Sequence, residues 1–205
     1  MAIMVERREQ HPFTRMRRKD RGVDDEAWIR DFLRGAQVGT LATVSNGQPF
    51  INTSLFVYDE GAHTIYMHSA AGGRTRANMD SDERVCFSAS EMGRLLPADS
   101  AFGMSVEYAS VVVFARARVL DDGVEKKRAL QLLVDKYFPH LRPGQHYRLP
   151  TPEELALTAV YKIEIDQWSA KRKQAEQDFP GAFLYGSPPD TGERLKPPSP
   201  AAGGD

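Results

Sequence analysis

The sequence predicts a mainly β protein, a small antiparallel barrel with peripheral helices. Three observations carry this expectation. At least six β-type runs follow one another, and most are joined by hairpin turn signals. The GxGxxG turn and the Walker loop, which mark doubly wound nucleotide-binding sheets, are both absent from the sequence.

Along the chain, Asp24 can cap a helix whose Trp28, Ile29, Phe32 and Leu33 share one face, and Gly35 can end it. Val38 to Val44 and Pro49 to Tyr58 read as two strands around Ser45-Asn46-Gly47-Gln48, because Asn-Gly between apolar runs favours a two-residue hairpin. Asp59 to Ala62 turns the chain into a third strand, His63 to His68, so that Val38 to Ser69 reads as a meander. Ala71-Gly72-Gly73 breaks that strand, Arg74 to Met79 suits one or two helical turns, and Glu83 to Ser90 resumes β character. Glu91 to Met104 is of mixed character and is assigned to loop or short helix. Val106 to Leu120 is too long a β-branched run to stay straight, and a bulge is expected near Phe114 to Arg116. Val124 to Phe138 is helical, with Leu130, Leu133, Val134 and Tyr137 in one stripe and Pro139 and Pro143 as stops. Leu157 to Ile165 is the last strand, with Ala159, Tyr161, Ile163 and Ile165 alternating against Val160, Lys162 and Glu164.

The 205 residues are 41% hydrophobic and 27% charged with a net charge of −1, which suits one soluble domain with tails. So balanced a charge offers no global field to gather nucleic acid or an acidic membrane. Residues 1–22 form a basic arm without the aromatic interleaving of a nucleic-acid binder, residues 23–180 the barrel, and residues 181–205 a tail rich in Pro and Gly. The single cysteine excludes an intrachain disulfide, and no apolar stretch suits a signal peptide or a membrane span, so a cytoplasmic protein is expected. The histidines lack metal-ligand spacing, and no metal is expected. Cys86, between Val85 and Phe87, reads as a small core hydrophobe. Arg116 and Arg118 read as a solvated face paired with carboxylates such as Glu107 or Asp121.

The chemistry concentrates in Ile65 to Asn78, where a strand end, a glycine break and a basic helix start meet. Exposed amides at a helix N-terminus favour an anion, glycines let it approach the backbone, and Arg74 or Arg76 can neutralise it. Ser69 and Thr75 add hydroxyls. Read alone, the same residues also describe a glycine turn before a solvated basic helix, and His68 a histidine hydrogen-bonded at a barrel end.

Residues 16–21 (MRRKDR), 39–59 (GTLATVSNGQPFINTSLFVYD), 66–78 (YMHSAAGGRTRAN), 83–87 (ERVCF) and 161–173 (YKIEIDQWSAKRK) together resemble the FMN-binding split β-barrel family typified by pyridoxamine 5′-phosphate oxidase. Within it, the chain looks closest to the flavin-nucleotide-binding branch that includes nitroimidazole-resistance proteins. The resemblance implies a homodimer with FMN at the subunit interface. It also implies that Asn52, Thr53, Ser54 and Leu55 line the ring and ribityl chain, that Met67, His68 and Ser69 meet the cofactor, and that Arg74 and Thr75 stand on the family's phosphate-binding Arg-Lys pair. Thr75 removes one cation of that pair, and Ser110 stands where the oxidase has an interface glutamine. The oxidase's Arg-x-His element has no histidine here, since Trp168 is followed by Ser-Ala-Lys-Arg-Lys. The resemblance thus implies a flavoprotein oxidoreductase that passes electrons from a reduced donor to a small acceptor, without oxidising pyridoxamine phosphate. Trp168, Lys171 and Arg172 would shape the flavin edge or substrate mouth, and His68 would contact flavin or substrate. The alternatives are haem, deazaflavin or stored flavin bound on the same barrel without flavin turnover, or a barrel whose flavin site has decayed.

Overall fold

The computed structural model describes residues 12–188. After two short 3-10 helices, Pro12–Thr14 and Lys19–Arg21, eight strands and four α-helices run in the order β1 (Gly22–Val23), α1 (Glu26–Gly35), β2 (Gly39–Ser45), β3 (Gln48–Ser54), β4 (Phe56–Asp59), β5 (Thr64–Ala70), α2 (Arg74–Ser81), β6 (Arg84–Leu96), β7 (Ser105–Val119), α3 (Gly123–Tyr137), α4 (Pro152–Ala156) and β8 (Thr158–Lys173). All pairings are antiparallel, in the order β3-β2-β6-β7-β8-β5-β4, and β1 adds to β8. The N-terminal end of the basic arm and most of the Pro-rich tail lie outside the described residues.

The hairpin between β2 and β3 follows from its turn, where Asn46 and Gly47 take φ of +50° and +76°. Positive φ at both central positions gives the turn whose twist matches that of the flanking strands. The run Pro49 to Tyr58, in contrast, is not one strand. It breaks at Leu55 into β3 and β4, which stand at opposite ends of the strand order. Two ends of a sheet joined by one residue force the sheet to curl. No ladder joins β3 to β4 or β5 among the described residues, so the barrel stays open along that line.

Two further boundaries differ from expectation. Residues 91–96 continue β6 across a bulge between Met92 and Leu95, because Met92 and Leu95 find partners in Tyr108 and Val106. β8 runs on to Lys173, because β7 offers it a ladder along nearly its whole length. The bulge expected near Phe114 exists, but the extra residue is Asp166 on β8, between the pairs Ala115–Ile165 and Phe114–Gln167. The cap of α1 is Asp25, whose carboxylate accepts from the N–H groups of Ala27 and Trp28, rather than Asp24. The capping box of α4, Thr151 with Glu154, was not anticipated from the sequence.

The interior splits into two clusters. Inside the barrel, Leu41, Phe56, Ile65, Phe87, Val113 and Tyr161 pack beneath Ile29 and Leu33 of α1. Outside it, Ala129 and Leu133 of α3 cover Val57, Tyr66 and Val160. β4 and much of β5 are therefore buried on both faces, which is why Phe56–Tyr58 and Thr64–Met67 show no alternation of burial. The outer face of β3-β2-β6-β7-β8 carries Ile51, Ala42, Cys86, Val112 and Phe114. Cys86 is thus half-buried on this outer face rather than in the core, and burial pushes its thiol pKa up. Arg116 pairs with Glu83 at 3.0 Å and Arg118 approaches Glu125 at 3.8 Å, so the solvated reading of these arginines holds with different carboxylates.

α3 is also tied to the break at Leu55. The Tyr137 hydroxyl accepts from Phe56 N–H at 3.1 Å and lies 2.8 Å from the carbonyls of Gln37 and Phe56. Lys136 Nζ donates to Ala36 O at 2.7 Å and sits 3.9 Å above the Phe56 ring centroid. Burial pushes the Lys136 ammonium down to about 8. Between that value and the ordinary lysine range near 10.4, the unfolded chain holds the proton that the folded one has lost, so stability rises with pH. Thermal midpoints of the wild-type chain measured from pH 8 to 10 are expected to climb relative to those of Lys136→Met, and the two curves run parallel below that window.

Candidate functional site

The open line of the barrel is the candidate site. β3 pairs only with β2 and leaves its other edge free. β5 pairs with β8 along its whole length, but with β4 only as far as Met67 opposite Phe56, so the other edge of His68–Ala70 is free as well. Two unpaired strand edges thus border a slot whose backbone donors and acceptors have no ladder partner. The chain leaves this slot through Gly72 and Gly73 into α2.

Gly73 takes φ of +133°, a conformation suited to glycine, and a Cβ at Gly72 or Gly73 would meet nothing within 4 Å. No side chain caps α2, whereas Asp25, Asp122 and Thr151 cap the other three helices. The first-turn amides of α2 therefore face open space with their dipole unanswered. Arg74 is exposed and has no carboxylate partner among the described residues; its guanidinium lies 5.3 Å from the Phe50 ring centroid. Arg76 is committed elsewhere, donating to Ala71 O at 3.5 Å and facing Asp80 at 3.6 Å. Asn78 donates to Thr43 Oγ at 2.8 Å within the buried interior and fixes α2 on β2. Uncapped amides, one free cation and two open strand edges fit a ligand with a phosphate and a flat, hydrogen-bonding ring.

Pairing assigns the anticipated residues to faces, since partners across a ladder share a side. Asn52 and Ser54 lie opposite Leu41 and Gly39 on the inner side, as does Phe50 opposite Thr43, whereas Thr53 lies outside, with its hydroxyl 2.8 Å from that of Thr40. Leu55 is the exposed link itself. Met67 turns its side chain into the core and is 1% exposed. Ser69 Oγ lies 2.6 Å from the Tyr161 hydroxyl, at the inner end of β5. His68 shares the opposite face with Tyr66 and Val160, beneath α3. Its Nδ1 is the one buried side-chain polar atom without a hydrogen bond among the described residues, and burial lowers its pKa. Thr75 is buried, so the first turn of α2 presents its amide rather than its hydroxyl. Nine of the eleven anticipated residues thus lie on the segments that border the slot, with the side chains of Thr53 and His68 turned to the outer side, and two do not. Trp168 lies far along β8 from Thr158, the partner of Ala70, roughly 30 Å at about 3.3 Å per residue. Lys171 is on the outer face opposite Ser110, while Trp168, opposite Val113, faces inward.

Sequence reasoning missed Phe50, Tyr161 and Tyr137. The signal for Phe50 was its alternation with Asn52 and Ser54, and that for Tyr161 its place in the inner row of β8. A groove of about 850 Å³ between α3 and residues 147–154 shares no lining residue with the slot. Among the described residues, no group of three or more His, Cys, Asp or Glu is arranged to hold a metal, and no helix is long and apolar enough to cross a membrane.

Among solved structures, the flavocytochrome Anf3 from Azotobacter vinelandii is similar with a TM-score of 0.68 at 22% identity, over 92% of each chain. An FAD- and haem-binding protein from Mycobacterium smegmatis gives 0.67 at 23% identity, over 76% of this chain and 74% of that one. A 5-nitroimidazole antibiotic resistance protein from Bacteroides thetaiotaomicron, assigned that role only provisionally, gives 0.61 at 20% identity, over 74% of this chain and 86% of that one. At these identities the likeness is one of fold. No curated protein matches the sequence. The pyridoxamine 5′-phosphate oxidase family model matches residues 25–172, and the chain belongs to that family.

Proposed function

We propose that the protein is an FMN-binding oxidoreductase that works as a homodimer, with each flavin lying between two copies. The observation that carries this reading is the pairing of an uncapped α2 start and a carboxylate-free Arg74 with the open slot between β3 and β5. The α2 amides and Arg74 hold the single terminal phosphate. The free edges of β3 and β5 hydrogen-bond the ring system, and Asn52, Ser54 and Ser69 stand on the inner side of those edges. When bound, the flavin supplies hydride and electron transfer between a reduced donor, such as a nicotinamide cofactor, and a small acceptor. The chain's own part is to bind, orient and exclude water, and no residue has to act as a strong acid or base.

The dimer is supported by two features. The resemblance sets Trp168 beside the flavin, and along β8 it stands roughly 30 Å from the β5 wall of its own slot, so in this reading it serves the slot of a second copy. The outer face of β3-β2-β6-β7-β8, with exposed Ile51 and half-buried Ala42, Cys86, Val112 and Phe114, has no α-helix over it among the described residues, although the Phe13 ring stacks on Phe114 at 5.8 Å, and is the surface such a copy would cover. The missing histidine after Trp168 argues against pyridoxamine phosphate as substrate.

Titration of the purified protein with FMN, FAD, deazaflavin and haemin, followed by visible absorption, tests the reading. Saturable FMN binding is expected, with pyridoxamine phosphate turned over at well below about 1 per second. Failure to bind any flavin, or ordinary turnover of pyridoxamine phosphate, would overturn it. A second reading, a haem protein on the same barrel, is favoured by the buried, unpartnered Nδ1 of His68, since haem needs an axial ligand. A Soret band that disappears in His68→Ala would select it.

A further inference from the structure

The far end of β8 holds a constellation that the slot does not use. Along the first part of β8, Ala159, Tyr161 and Ile163 face the core, and continued alternation would turn Trp168 outward. The extra residue Asp166 reverses the phase, so that Trp168 and Ala170 face inward instead. His63 stands beside that bulge, and its carbonyl accepts from Ile165 N–H at 3.5 Å. Its φ is +50°, and the other non-glycine residue with positive φ, Asn46, is explained by its hairpin turn. His63 likewise closes the four-residue turn between Asp59 and Thr64, where its N–H donates to Glu60 O at 3.2 Å.

From that turn the His63 ring reaches Trp168. It meets the Trp168 indole edge to face, with centroids 4.8 Å apart and an interplanar angle of 76°. Its Nδ1 lies 3.3 Å from the Tyr58 hydroxyl. Arg30 donates to that same hydroxyl at 3.4 Å, while its guanidinium carbon lies 5.4 Å from the Trp168 ring centroid. Two side chains, Arg30 of α1 and His63 of the β4–β5 turn, thus meet one indole, and the Tyr58 hydroxyl of β4 links them.

We propose that His63 is a positioning residue that, together with Arg30, fixes the indole of Trp168, and that protonation of His63 releases it. This rests on the reading above, in which Trp168 of one copy closes the flavin slot of another. The neutral ring accepts the Tyr58 proton at Nδ1. A protonated ring donates there instead, so Tyr58, already receiving an N–H from Arg30, must turn its own proton away. The new charge also stands beside Arg30. The charged groups around His63 are Arg30 and Glu26 of α1, Glu60 of the turn, with Arg34 bridged to it, and Glu164 and Asp166 of β8. Burial and Arg30 lower the His63 pKa and Glu26 opposes them, so the release belongs to mildly acid pH.

Trp28→Phe leaves Trp168 as the single tryptophan of the two in the chain. In this background, tryptophan fluorescence of the flavin-free protein is expected to fall on acidification, with a midpoint below about 6.5. His63→Asn keeps a residue that tolerates the left-handed backbone and should abolish the transition; Tyr58→Phe, which keeps the histidine, should move its midpoint. His63→Asn is also expected to weaken FMN binding about 3- to 10-fold at neutral pH. A transition that survives His63→Asn overturns the proposal. So does FMN affinity unaltered in His63→Asn while Trp168→Phe weakens it. FMN affinity unaltered in Trp168→Phe overturns the underlying reading of Trp168 instead, and the fluorescence result separates the two failures.

Discussion

Phe87→Ala is expected to destabilise the fold by about 3–5 kcal/mol. Phe87 is fully buried and meets Phe56 edge to face at 4.9 Å, where the barrel interior is tightest. Its ring also lies directly over Gly39, where a Cβ would come within 2.1 and 2.3 Å of ring carbons and 3.0 Å of Phe56. β2 therefore admits no side chain at that position. Gly39→Ala alone is expected to cost about 1–3 kcal/mol, because both rings are locked by their neighbours. Once Phe87 has become Ala, the same methyl group occupies vacated space, so the double variant should be more stable than the sum of the two losses. Denaturant midpoints of the four proteins in this cycle measure the coupling. Strict additivity would mean that Gly39 is glycine for some reason other than the Phe87 ring.

Arg74→Ala is expected to raise the FMN dissociation constant about 10- to 100-fold, the range of a charge-assisted phosphate bond. Arg74 is spared a competing carboxylate, and Arg76, held by Asp80 and Ala71 O, is poorly placed to replace it. Arg76→Ala should accordingly change the constant much less. Because Arg74 is exposed and, among the described residues, has no ion pair and rests on the Phe50 ring, its loss should leave the thermal midpoint of the flavin-free protein almost unchanged. Affinity intact in Arg74→Ala but lost in Arg76→Ala would move the phosphate to the other arginine.

Much of this site could be read from local signals. Glycines before a basic helix, a hairpin around Asn46 and Gly47, and an apolar stripe on each long helix are properties of a few consecutive residues. Local rules also placed the start of α2 and, of the stripe on α3, Leu130, Leu133 and Tyr137, whereas Val134 lines the groove beside residues 147–154. They failed where a distant partner decides. Pro49 to Tyr58 looks like one strand because nothing in its composition reveals that β3 must pair with β2 while β4 pairs with β5. Residues 91–96 look irregular, yet become strand because β7 lies beside them.

By itself, then, the chain's sequence determined most element types, the hairpin and the glycine break before a basic helix, and its ordered motifs resembled the family to which the chain belongs. The first three follow from backbone preference and side-chain chemistry over short spans. Only the tertiary structure decided where the sheet stays open, which of Arg74 and Arg76 remains free, and which way β8 turns its residues. The last of these hangs on Asp166, since one extra residue in a strand of period two sends Trp168 inward and Lys171 outward, a consequence of ladder pairing that no local pattern encodes.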